Sequence, residues 1–284
     1  MSADNAEALS HVQDSTTLHF PGGAWEIPQL IDPEAVPEAL RAYGIEGQLT
    51  RFMLMEVVVA VLMIAIFVPI ARRIRTGQCP RGRVWNFLEV LLIFVRNEVA
   101  RRAIGPKGMA DRYLPFLWTL FFFILFSNIL GLIPFAGPPT AALACTSSLA
   151  MMTFLAVIIA GIRTHGVVGF WTGLAPRTGL PWWIAVFVAP LLVAIELLGL
   201  CIKHLVLSIR LLANIFAGHL VLAVVMGFIA MAAEFGAATW SSVTLATLFG
   251  ALALNILEIL VAFLQAYIFT FLSALFIGMA IHQH

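Results

Sequence analysis

Long apolar stretches alternate with short polar ones along this chain, and the length of each apolar stretch predicts what it becomes. Residues 52–71 are a first run of the ~20 residues that a helix needs to cross the hydrocarbon of a bilayer. Residues 114–135 and 141–162 are two more, separated by the breaker-rich Gly137, Pro138 and Pro139. Between the first and second, residues 84–103 interrupt an apolar pattern with Glu89, Arg96, Glu98, Arg101 and Arg102, which predicts a helix lying in the membrane interface rather than across it. Residues 164–181, with glycines, prolines and Arg177, predict a loop. Beyond Pro181 the pattern changes: residues 182–233 are almost unbroken apolar sequence, about 78 Å long if helical against roughly 30 Å of hydrocarbon. Such a run folds either as two spans or as one strongly tilted helix. Residues 243–281 have the same excess of length, and the weak polar break at residues 234–242 makes the pair an antiparallel hairpin.

Composition fixes the solvent. Of 284 residues, 61% are hydrophobic and only 11% charged, with a mean hydropathy of +0.99. A soluble domain is far more polar, so the expected fold is an all-α, polytopic integral membrane protein with one interfacial amphipathic helix and two long tilted C-terminal helices. The net charge of +1 hides a segregation. The first 50 residues hold eight acids and a single base, Arg41, whereas Arg72, Arg73, Arg75, Arg81, Arg83, Arg96, Arg101, Arg102, Lys107 and Arg112 crowd residues 72–112. Cytoplasmic loops collect Lys and Arg. The basic stretch is therefore expected inside, and the polar acidic segment 1–51 outside a membrane domain covering 52–284. The N-terminus has neither a secretory nor a transit-peptide pattern, which points to a bacterial cytoplasmic (inner) membrane ahead of a mitochondrial inner membrane. Cys79, Cys145 and Cys201 form no CxxC pair and read as packing residues, so no metal or redox group is expected.

Charge inside an apolar run needs a reason. After Pro181 only Glu196, Lys203, Arg210, Glu234 and Glu258 are charged, and each costs about 2.5–3.5 kcal/mol at the bilayer centre unless it finds a partner, water or the interface. Glu234 escapes through the turn. Arg210 and Asn214 are four residues apart on one helical face, and Glu258 and Gln265 are seven apart on another. In an antiparallel hairpin, residues at one depth have a fixed midpoint, and both His219 with Glu258 and Arg210 with Gln265 are centred near residue 238, inside the polar break. One register thus sets His219 level with Glu258, and Arg210 level with Gln265 roughly 13 Å farther along the helix. His219 and Glu258 can exchange a proton with water, while a permanently charged Arg210 ends that path. The competing reading is a structural Arg210–Glu258 ion pair with a packed His219. Glu196 and Lys203 read either as a structural pair or, for Glu196, as part of an inner exit, with His204 a neighbour of either. Glu56 reads as an interfacial carboxylate, and His165, His282 and His284 as solvated.

These residues carry a resemblance. The run Ser208–Leu220 (SIRLLANIFAGHL), followed by Leu254–Leu272 (LNILEILVAFLQAYIFTFL), resembles subunit a of the F-type ATP synthases, and Phe126–Phe135 (FSNILGLIPF) is similar to that family's Asn-Leu-x-Gly-Leu-x-Pro signature, with Ile129 in place of Leu. The similarity covers about residues 52–283. It implies that Arg210 is the family's essential arginine, facing a rotating ring of c proteolipids across a hairpin of tilted helices. Asn214 and Gln265 would be its polar neighbours, His219 and Glu258 a His/carboxylate pair in the arrangement of mitochondrial members, and Glu196 an access-channel carboxylate. Partners would be the c-ring, peripheral-stalk b subunits, the rest of the ATP synthase and membrane lipid, with no cofactor and no nucleic acid. Two offset half-channels would make proton flow require ring rotation. The chain has no P-loop or other nucleotide signature, so ATP chemistry would belong to other subunits and this one would hold no catalytic site. A stand-alone secondary transporter would be expected to show paired repeats and broken helices. A membrane enzyme would need a catalytic motif such as HExxH, and a haem protein facing axial histidines. Neither pattern is visible.

Overall fold

The computed structural model describes residues 17–20, 23–28, 50–75, 82–105, 107–133, 139–174 and 182–282. Most of the acidic N-terminal segment, Cys79 and His284 lie outside the described residues. Among the described residues, seven α-helices follow a short β-hairpin: β1 (Thr17–Phe20), β2 (Gly23–Glu26), α1 (Arg51–Arg75), α2 (Arg83–Phe94), α3 (Arg101–Ile104), α4 (Lys107–Gly131), α5 (Leu143–Leu174), α6 (Trp182–Ala232) and α7 (Ala237–Ile281). Five of these, α1, α4, α5, α6 and α7, are long and apolar enough to cross a membrane. The protein is a polytopic helical membrane protein. The exposed faces of α6 and α7 carry residues such as Leu198, Ile202, Ile209, Leu252, Ile256 and Leu260, which suit lipid or another apolar helix as neighbour.

Several local expectations change. The 52-residue run is a single helix, α6, and the break after it is narrower than the polar composition suggested: a 3₁₀ turn at Ala233–Phe235, then Gly236 at φ +100°, and α7 starts at Ala237. The serines counted as breakers are absorbed into the first turns of α7, where Ser241 and Ser242 hydroxyls bond back to the Ala238 carbonyl. Residues 164–174 are helical rather than a loop. α5 runs on through a kink at Gly166 (φ 75°), because His165 and the apolar residues after Gly166 continue the helical pattern. α4 starts at Lys107, seven residues before the apolar run, and the interfacial helix is interrupted by a π-turn, Val95–Ala100. The N-terminal segment contributes β1 and β2, paired antiparallel from Thr17↔Glu26 to Phe20↔Gly23.

The chain divides into two compact units. The first comprises Met1–Ile66, Phe123–Ala142 and Leu212–Phe263. Here Ile27, just after the hairpin, packs on Met55 with Leu54 and Leu130, and Phe52 packs on Ile215 and Ala142. Thr140 donates to the Asn128 side-chain carbonyl at 3.0 Å, holding the end of α4 to the turn that precedes α5. Asn128 is the asparagine of the Phe126–Phe135 motif, so one job of that motif is to close this turn.

The second unit comprises Phe67–Phe122, Leu143–Leu211 and Leu264–His284. The π-turn sets Arg96 to grip Asp111 of α4 in a bidentate pair, both bonds 3.0 Å, and Trp118 donates to the Leu92 carbonyl at 3.0 Å. The hydrogen bonds and charge of Asp111 raise the Arg96 pKa further above its ordinary value. α7 meets α3 so closely at Gly278 that any Cβ there would overlap the Ala103 carbonyl oxygen. His282 then donates from Nε2 to the Ile104 carbonyl (2.9 Å), and His165 to the Ile281 carbonyl (3.0 Å). These two histidines are helix-end clamps, not merely solvated side chains: the last carbonyls of α3 and α7 lack helical acceptors' partners and take ring N–H groups instead.

Candidate functional site

Arg210 and Gln265 meet within the second unit. The Gln265 side-chain amide donates to the backbone carbonyl of Arg210 at 3.1 Å, from a glutamine that is only 7% exposed. A buried amide needs partners, and this one is spent on fixing α7 against α6 at the level of Arg210. The Arg210 side chain is on the exposed face of α6, and among the described residues it has no salt-bridge partner. On that same face Ala213 and Ala217 are also exposed, leaving the arginine standing above small neighbours. Asn214, one turn on from Arg210, is half-buried.

Glu258 and the segment carrying His219 meet within the first unit. Glu258 is half-buried, and its carboxylate occupies the space a side chain would fill at Gly218: a Cβ there would overlap Oε1 and stand 2.9 Å from Cδ and 3.4 Å from Cγ. Only glycine lets α6 approach the carboxylate this closely. His219 is the next residue of the helix, and its side chain lies outside what the structure describes. Gly218 is the residue that sequence reasoning passed over, although a glycine directly before a titratable histidine in an apolar helix was a visible signal.

The inner group sorts differently from the simple pair that spacing allowed. Glu196 and Lys203 form no salt bridge; Glu196 lines an open cleft of about 280 Å³ with Val157, Phe170, Leu200, Phe276 and Met279, and the Lys203 ammonium sits 5.9 Å over the Phe276 ring. His204 is 3% exposed, wedged between Phe154 and Phe276, and bonds the Leu200 carbonyl through Nδ1 at 2.8 Å. Glu56 is half-buried near the start of α1 and Glu234 is exposed in the turn. Cys145 and Cys201 are free thiols, the first buried and the second exposed. Among the described residues no three His, Cys, Asp or Glu side chains gather as a metal site.

Residues 53–278 match the ATP synthase A chain family. The chain is 36% identical to ATP synthase subunit a of Chloroherpeton thalassium, over 98% of this chain and 77% of that one. It is 39% identical to ATP synthase subunit a of an Anaeromyxobacter species, over 98% and 71% of the two chains, and 40% identical to that of Myxococcus xanthus, over 83% and 75%. A match of this extent runs through every long helix and both halves of the hairpin, and it places the chain in the ATP synthase subunit a family, the membrane (F0) sector of the F-type ATP synthase.

Proposed function

We propose that the protein is the proton-conducting stator of an F-type ATP synthase in a bacterial inner membrane, with its acidic N-terminal segment outside and its basic residues 72–112 inside. It holds no catalytic site for ATP. Its work is to couple proton flow to rotation of a ring of c proteolipids, anchored by peripheral-stalk b subunits and the rest of the complex.

The observation that carries this reading is the lock between Gln265 and the Arg210 backbone beside an uncovered Arg210 side chain. A guanidinium stays protonated at any working pH, and leaving it against lipid costs about 2.5–3.5 kcal/mol. A carboxylate carried past on a partner helix offsets that cost, because the arginine favours its ionised form. The carboxylate must therefore give up its proton as it arrives and regain one as it leaves. Two half-channels on opposite sides of Arg210 follow from that requirement. His219 and Glu258 supply the outer one, with Asn214 between them and the arginine; Glu196 and its cleft supply the inner one. Arg210 carries no proton itself. It separates the two channels electrostatically, so protons cross only by riding the ring.

The test is isolation of the intact complex. The chain should purify with a small multi-copy proteolipid and an ATP-hydrolysing head, and vesicles holding that complex should pump protons when given ATP. A chain that moves protons alone in liposomes, without the proteolipid, contradicts the proposal.

A further inference from the structure

We infer that His204 is a proton-accepting group of the inner half-channel, which rests on the stator reading above and extends it. The geometry is specific. A carbonyl can only accept, so the 2.8 Å contact with Leu200 requires a hydrogen on Nδ1 and leaves Nε2 as a bare lone pair. That Nε2 is buried and has no partner, and one turn along the same face the fully buried Ser208 hydroxyl also bonds nothing. Residues four apart on a helix share a face, with Cβ atoms about 5–6 Å apart, so one bridging water is suited to serve both orphaned atoms. Buried polar atoms are nearly always satisfied. A water that accepts from Ser208 and donates to His204 Nε2 removes both exceptions at once.

The surroundings connect this spot to the Glu196 cleft. Leu200, whose carbonyl holds the imidazole, and Phe276, whose ring lies 4.9 Å from it between centroids, are both walls of the Glu196 cleft. The charged groups near His204 belong to its own helix, Glu196 and Lys203; α5 and α7 present Phe154 and Phe276 to it. Nε2 accepts the extra proton of a bridging water that has been protonated by an arriving proton, leaving neutral water, and later returns that proton to the same water, since Nδ1 keeps its hydrogen on Leu200 throughout. The imidazole is thereby a proton-holding station beside the Glu196 cleft, six residues along α6 from the level of Arg210.

The experiment measures proton-driven ATP synthesis by the whole complex in vesicles while pH on the inner side is varied. Wild type should show a pH inflection that depends on His204. His204→Asn, which keeps an N–H for Leu200 but cannot titrate, should lose the inflection and slow synthesis by on the order of 10²-fold, as removal of a positioned acid-base group does. His204→Phe should behave alike wherever it assembles, and Ser208→Ala should retain the inflection but displace it. His204→Asn with the wild-type rate and inflection overturns the inference. Failure of the stator reading is seen separately, as wild-type coupling in an Arg210→Ala complex.

Discussion

Replacing Gly218 with alanine places one methyl group where the Glu258 carboxylate now sits. The Cβ would overlap Oε1 and stand 2.9 Å from Cδ, whereas ordinary carbon contacts are near 3.5–4.0 Å. The carboxyl carbon must retreat by roughly 0.6–1.1 Å to regain that distance, and Oε1 by more. A misplacement of about 1 Å at a reacting group costs up to 10²-fold in rate, so Gly218→Ala should slow proton-driven ATP synthesis by between about 10- and 100-fold. Stability should not fall with it, because alanine is favoured over glycine inside a helix by about 0.8–1.0 kcal/mol. The assay compares ATP synthesis in vesicles with the amount of complex that assembles in the membrane. Pairing the substitution with Glu258→Asp, which shortens the acid by one methylene, should recover part of the rate. A Gly218→Ala complex that assembles normally and works at the wild-type rate would refute a role for Glu258 at this position.

Other outcomes follow from the packing. Gly278→Ala drives a Cβ into the Ala103 carbonyl oxygen and to 3.1 Å from its carbon; a backbone neighbour cannot swing aside, so thermal unfolding in detergent should show a loss of about 1–3 kcal/mol. Arg96→Ala should leave thermal unfolding nearly unchanged by the same measurement, since Arg96 and Asp111 are 42% and 37% exposed and water screens the pair. Gln265→Leu removes the bond to the Arg210 carbonyl, worth about 0.5–1.5 kcal/mol net, and should lower coupled synthesis more than it lowers assembly.

The run lengths made the long helices readable, because 52 almost unbroken apolar residues have few alternatives to a helix or two. Arg210 and Gln265 were readable for a related reason: in an apolar helix a polar residue stands out, and antiparallel geometry then relates one arm to the other by arithmetic. Asp111, Gly278 and the clamps of His165 and His282 were not readable, since each acquires its meaning from a residue distant in sequence. Asp111 looks like one interfacial acid until a π-turn aims Arg96 at it. Gly278 looks like one small residue among bulky ones until α3 is laid against it. The β1–β2 hairpin was hidden by the polar composition around it, although residues 17–20 alternate in the manner of a short strand. Residues 164–174 were misread because glycine was weighed as a breaker, whereas only Gly166 leaves helical geometry.

The central claim is that Arg210 keeps two half-channels apart, so that protons cross only with rotation. The direct test replaces Arg210 with alanine and compares two measurements on membranes holding the complex. Proton-driven ATP synthesis should vanish while ATP hydrolysis by detached heads persists. ATP synthesis retained at the wild-type rate in the Arg210→Ala complex would contradict the account.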